Sequence, residues 1–253
     1  MSLNSVAAIY KFEMARARRT LWQSLVAPVI TTALYFVVFG SAIGSRMSAM
    51  NGVQFGSFIV PGLTLLSVFM QSIFNASFGI YFPKFTGTIY ELLSAPISSL
   101  ETVLAYVGAA VTKSVVLALV TLATATIFVP VRVDHPLLMI AFLLASTTAF
   151  CLMGFVIGIW AKNFEQLQIV PMLIVTPLTF LGGAFYSVTA LPEPWRTVTL
   201  FNPVVYLISG FRWTFYSRAD VPVWSSVAVM AALIGICLAA IFQIFHTGYR
   251  LKQ

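Results

Sequence analysis

Six stretches of this sequence are long and apolar: Leu21–Gly44, Phe55–Phe82, Thr102–Val129, Pro136–Ala161, Leu167–Tyr186 and Val223–Phe245. A single charge, Lys113, falls within all of them. A bilayer core about 30 Å thick is crossed by roughly 20 apolar residues in helical form. Transmembrane strands would alternate apolar and polar residues, and these continuous runs do not. The expectation is therefore an all-α polytopic membrane protein with six transmembrane helices, folded as one domain over residues 1–253. Composition agrees, because 60% of the residues are hydrophobic and 8% are charged. A soluble domain carries about 25% charged residues, so a soluble enzyme is excluded, as are a disordered chain and a collagen-like fibre. The first run is too long for a cleaved signal segment and lacks a small-residue cleavage site behind it, so it is expected to stay.

The net charge of +7 reads as topology. Lys11, Arg16, Arg18 and Arg19 crowd the tail before the first run and predict a cytoplasmic N-terminus. Six crossings return the C-terminus, with Arg250 and Lys252, to the same side. Lys84 and Lys162 join them there, so eight basic residues lie inside against Arg46, Arg132, Arg196, Arg212 and Arg218 outside. No nucleic-acid-binding module is recognisable.

Three segments are more than simple spans. In residues 1–20, Val6, Tyr10, Met14, Ala17 and Leu21 recur at helical spacing beside Lys11 and Arg18, with Glu13 near the edge of that face. This predicts an amphipathic helix lying in the headgroup plane and running straight into the first span. In the cytoplasmic loop 81–101, Pro83 and Pro96 bracket a segment that can form a short helix. Its spacing fits an ordinary connector and a docking site for a cytoplasmic partner equally well. In the outer stretch 187–222, Val204–Phe215 is apolar but too short to cross. That length fits a re-entrant or an interfacial helix, and Pro203 before it and Gly210 inside it fit a broken one. Trp195, Tyr206, Trp213 and Tyr216 suit the outer aromatic belt, and a plain interfacial anchor fits the residue types at least as well as a gate.

Familiar chemistry is missing. There is no G-x-x-x-x-G-K-[ST] phosphate loop, no G-x-S-x-G elbow and no H-E-x-x-H helix. Cys151 and Cys237 sit in separate apolar runs and read as small apolar groups. His135 and His246 are isolated and carry no expected ligand role. Lys113 is either a functional intramembrane charge or one that snorkels to the inner headgroups, and the second reading is preferred. Gly154 and Gly158 on the fourth span suit a close helix–helix contact.

Longer patterns then resemble a known family, the membrane subunit of type-2 ATP-binding-cassette (ABC) exporters in its short six-span form. The run Leu181-Gly182-Gly183-Ala184-Phe185-Tyr186-Ser187, followed by Leu191-Pro192 and Trp195, is similar to the family's end of the fifth span. Many members carry proline where this chain has Ser187. Asn202-Pro203, Tyr206 and Gly210-Phe211-Arg212 resemble the outer re-entrant segment. Glu91-Leu92-Leu93-Ser94-Ala95-Pro96-Ile97-Ser98 resembles the cytoplasmic coupling segment.

The resemblance implies a permease that works as a homodimer with two separate ATPase subunits, exporting a lipid, glycolipid, polysaccharide or drug across the cell membrane (the inner membrane in a Gram-negative cell). ATP and Mg would be held by the partner, with no cofactor on this chain. Lys84, Tyr90, Glu91, Leu92, Leu93 and Pro96 would form the coupling helix. Gly182, Gly183, Phe185, Trp195, Asn202, Pro203, Tyr206 and Arg212 would form the outer gate. Competing readings are an ATPase-independent channel or ion-coupled carrier, which calls for more intramembrane charges than Lys113, and a structural anchor for a cytoplasmic enzyme.

Overall fold

The computed structural model describes residues 3–44, 49–50 and 52–248. Arg46, Arg250 and Lys252, used above for orientation, lie outside the described residues. Among the described residues the regular structure is helical, apart from an isolated bridge between Met50 and Val53. Helix α1 (Leu3–Arg19) is followed by α2 (Leu21–Tyr35), which continues as π-helical turns over Phe36–Ile43. Next come α3 (Phe55–Phe58), α4 (Val60–Thr86), α5 (Ile89–Ser94), α6 (Ser99–Phe128) and α7 (Pro136–Trp160). The fifth span is built from α8 (Phe164–Val170), π turns over Pro171–Val175 and α9 (Thr176–Leu181). The chain ends with α10 (Glu193–Leu200), α11 (Pro203–Tyr216) and α12 (Val223–Thr247).

Five stretches are long and apolar enough to cross a membrane: Phe55–Thr86, Ser99–Phe128, Pro136–Trp160, Phe164–Leu181 and Val223–Thr247. A sixth exists if α1 and α2 are taken together as one broken span. These two helices meet at an angle of 60°, so α1 does not run straight into the first span. Thr20, at φ −113° and ψ 13°, leaves helical geometry between them.

In lipid, apolar side chains gain little by leaving the acyl tails, and close backbone approach decides which helices pair. The centre of the bundle follows that rule. A Cβ built on Gly154 of α7 would lie 2.5 Å from the Ile73 carbonyl of α4, and one on Gly158 would lie 2.4 Å from that of Ser77. Glycine at both positions lets α4 and α7 touch along their backbones. One turn away Phe69 and Phe150 stack at 3.8 Å. Leu65, Phe142, Leu207, Ile208 and Phe211 complete this layer, and Ile80, Ile89, Tyr106, Cys151 and Phe155 form a second one toward the α5 end. Cys151 and Cys237 are free thiols.

Two local expectations are corrected. A short helix, α5, does lie between Pro83 and Pro96, but Pro83 itself sits inside α4, which carries on through it to Thr86. A proline in a last turn removes one backbone bond, and that turn is held from outside: Lys84 Nζ donates to the Ile159 and Ala161 carbonyls at 2.8 and 3.2 Å. The helix stops at Gly87 (φ 80°), whose left-handed conformation glycine adopts without strain. Nor does Gly210 break its helix. Helix α11 is regular through it, and a Cβ there would lie 2.5 Å from the Phe142 ring and 2.8 Å from Ser226. The glycine lets α11 press against α7 and α12.

Candidate functional site

Three places on the bundle gather polar residues, and the first is the turn around α5. Helix α5 begins after Gly87 and ends at Ala95, where the chain becomes extended before Pro96. Ile89 is buried against the inner layer and Leu92 packs beside it, while Tyr90, Glu91 and Pro96 are exposed. Leu93 lies in the same short helix. Lys84 stands apart from this group, since it caps the carbonyl end of α7. The next helix is fixed by a capping box. The Glu101 amide donates to Ser98 Oγ at 3.3 Å, and the Ser98 amide donates to Glu101 Oε2 at 2.9 Å. The Ser-x-x-Glu spacing was legible in the sequence and marks the start of α6.

The second place is the junction of α1 with α6. Lys113 Nζ donates to Glu13 Oε2 at 3.0 Å, and Arg16 Nη2 donates to the same oxygen at 2.7 Å. Tyr10 and Thr112 share a hydroxyl hydrogen bond of 2.9 Å. Glu13 is 2% exposed. Lys113 is therefore paired, and the spacing of α1 gave no sign of a partner 100 residues away. The buried edge of α1 runs through Ile9, Tyr10 and Glu13, whereas Phe12 is exposed on its other side. The Arg16 guanidinium also lies 5.3 Å from the Phe78 ring centre and 5.9 Å from that of Phe82. A cavity of about 810 Å³ opens between this junction, α2, α4 and α6. Within it Gln71 Nε2 donates to Asn75 Oδ1, and Asn75 Nδ2 reaches Ser114 Oγ at 3.4 Å. Replacing Lys113 by methionine should loosen α1 at a cost of about 1–3 kcal/mol, since Glu13 keeps Arg16 but loses its link to α6. Faster protease cleavage near Thr20 reads that loosening. Glu13→Gln combined with Lys113→Met should loosen α1 further, because Arg16 then loses its carboxylate partner as well.

The third place is the end of the bundle opposite α5, where Arg212 is the centre. Its side chain is 2% exposed and pairs with Asp220 at 3.1 Å. Nη2 donates to the Gly183 carbonyl at 2.5 Å, and the guanidinium stacks 3.9 Å over the Phe58 ring. Asp220 also accepts from the Ser187 hydroxyl and from the Val188 amide. One cation thus ties α11 to the end of the fifth span, to the start of the second and to the loop before the sixth. Gly183 adopts φ 78°, and a Cβ on Gly182 would lie 2.8 Å from the Leu178 carbonyl. Asn202 caps α11 by accepting from the Val204 amide at 2.9 Å, and its Nδ2 donates to the Leu178 carbonyl at 2.5 Å. Pro203 follows in the first turn, and the Tyr206 hydroxyl donates to the Leu200 carbonyl at 3.0 Å. Phe185 stacks with Phe180 and meets Phe39 of the first span. Trp195, on α10, is 63% exposed and takes no part in the Arg212 cluster.

The loop before α7 is drawn into the same end. The Asp134 and His135 amides donate to the Phe215 and Thr214 carbonyls, and the His135 ring stacks on Trp213 at 4.6 Å. The Ser217 hydroxyl, and after it Arg132, hold the Asp134 carboxyl below its usual pKa. Asp220, Phe58 and Glu13 were not singled out by pattern. An acid shortly after a buried arginine was the available signal for Asp220, but nothing in the residue order marked it as buried.

Helices of this length and apolarity make the chain a multi-pass membrane protein, with its buried charges spent on joining helices. Residues 4–216 match the ABC-2 type transporter family. The chain belongs to that family and is a membrane transport permease subunit. It is 38% identical over 249 residues to the inner membrane transport permease YadH of Escherichia coli (strain K12), covering 98% of this chain and 97% of that one. It is 21% identical over 232 residues to nodulation protein J of Rhizobium leguminosarum bv. viciae, covering 90% of this chain and 88% of the relative. Over 209 residues it is 22% identical to nodulation protein J of Rhizobium meliloti (strain 1021), covering 81% of this chain and 79% of the relative.

Proposed function

We propose that this chain forms the membrane pathway of an ATP-driven exporter, as a homodimer served by two separate ABC ATPase subunits. It would lie in the inner membrane with both termini in the cytoplasm, and ATP and Mg would be bound by the partner. One observation carries the reading: within a family of ABC permeases, a short helix, α5, sits between two spans with Tyr90 and Glu91 exposed. Its buried Ile89 fixes it to the inner layer, so force applied to the exposed side reaches α4 and α6. The dimer rests on the family resemblance. The outer cluster around Arg212 would close the exit.

The cycle follows from two-state physics. ATP shifts the equilibrium only by binding one arrangement better, so the ATPase pair closed on ATP must favour the outward-open permease. Glu91→Ala in the assembled complex is expected to lower export at least ten-fold while assembly persists, with ATP hydrolysis measured alongside. Unchanged export with unchanged assembly would remove Glu91 from the coupling role. Co-purification from membranes should bring an ATPase in about equal amount. Recovery of the permease alone from gently solubilised membranes would instead favour a channel, a carrier or a simple anchor.

A further inference from the structure

The cavity between the α1–α2 elbow, α4 and α6 is basic on one side and lined elsewhere by apolar side chains with hydroxyl and amide groups among them. Arg16, Arg18 and Lys113 line it, together with Gln71 and Asn75 and apolar residues such as Phe74. Three cations face one carboxylate, Glu13, which accepts from Arg16 and Lys113 through the same oxygen. Arg16 Nη1 is buried and meets no acceptor among the described residues. A buried donor of that kind calls for an oxygen, and a guanidinium favours an anionic one.

We propose that this cavity binds an anionic phospholipid, its phosphate on Arg16 and Arg18 and its acyl chains along the wall beside Phe74. A membrane lipid is favoured over a soluble anion by the apolar wall and by the flanking side chains. Phe12 and Trp22 are 65% and 83% exposed on the elbow itself, as suits residues resting at the headgroup level. A zwitterionic lipid is disfavoured for two reasons. Arg16 already covers the Phe78 and Phe82 faces that a choline group would use. Among the described residues no carboxylate lines the cavity to receive an ammonium.

The test is retention of lipid by the purified full-length chain, read by native mass spectrometry after exposure to equimolar phosphatidylglycerol and phosphatidylcholine. One bound phosphatidylglycerol per chain is expected, preferred about twenty-fold, the ratio for two unmatched basic groups near a membrane surface. Arg18→Gln removes an exposed side chain and should cut the preference about five-fold without touching the fold. Arg16→Gln together with Arg18→Gln should abolish it. Equal retention of the two lipids by the unaltered chain would overturn the proposal, as would a preference that survives both substitutions. Displacement of the lipid by glycerol phosphate at matching concentration would overturn it too, by showing that the acyl chains contribute nothing. The measurement needs no ATPase and no transport, so its failure leaves the exporter reading standing.

Discussion

Arg212→Ala is expected to cost about 3–5 kcal/mol of stability, the range for removing one partner of a buried ion pair. The loss has three sources. Asp220, itself 3% exposed, would keep a buried charge with only the Ser187 hydroxyl and the Val188 amide for company. The Gly183 carbonyl would lose its guanidinium donor, and the Phe58 ring would lose the cation stacked on it. Because these contacts join three spans, the damage should be cooperative and not confined to α11. Thermal unfolding of the purified protein in detergent checks this, and a midpoint unchanged within error would deny Arg212 its structural role. The pair Arg212→Met and Asp220→Asn should lose clearly less than the two single losses added together, because no buried charge is then left alone.

The second large effect lies at the centre of the bundle. Gly158→Leu should cost about 3 kcal/mol, the upper end for overpacking, and should sharply reduce the yield of monodisperse protein. Even a Cβ at that position would sit 2.4 Å from the Ser77 carbonyl, 2.5 Å from Ile80 Cγ2 and 2.9 Å from the Ser77 Cα. Ile80 can turn aside, but the α4 backbone cannot, so α4 and α7 must separate. Gly108→Ala on α6 is the matched control, with nothing within 4 Å of its Cβ, and should leave yield and stability as they were. If both variants behave like the parent, backbone contact between α4 and α7 is not what holds the centre.

What the residue order disclosed divides by the range of the interaction involved. Apolar length is a local property, so five of the expected spans reappear as long helices at nearly the expected positions. The first is different, because the 60° elbow at Thr20 depends on how α1 rests on α6. Local signals were also read too literally where neighbours override them. Pro83 stays inside α4 because Lys84 ties that turn to α7, and Gly210 stays inside a regular helix because its role is close packing. The glycines of the fourth span were read well, since small residues four apart report a contact directly. The charges were not. Lys113 was visible and Glu13 was visible, but their pairing depends on tertiary placement that no spacing encodes. At the Arg212 end, Arg212, Gly183 and Asn202 could be named from the resemblance. Ser187, a departure from the pattern of that resemblance, donates to Asp220.

Helix α4 has a mechanical property that follows from its length. Its 27 residues make a rod about 40 Å long, with no break between Val60 and the turn at Gly87. One end stands beside the guanidinium of Arg212, and the other is fastened by Lys84 beside α5. Tilting a rod of that length by about 5° displaces one end against the other by about 3.5 Å. That distance exceeds the reach of a hydrogen bond. A small swing at the α5 end would therefore be enough, by leverage alone, to part the Arg212 contacts at the other end.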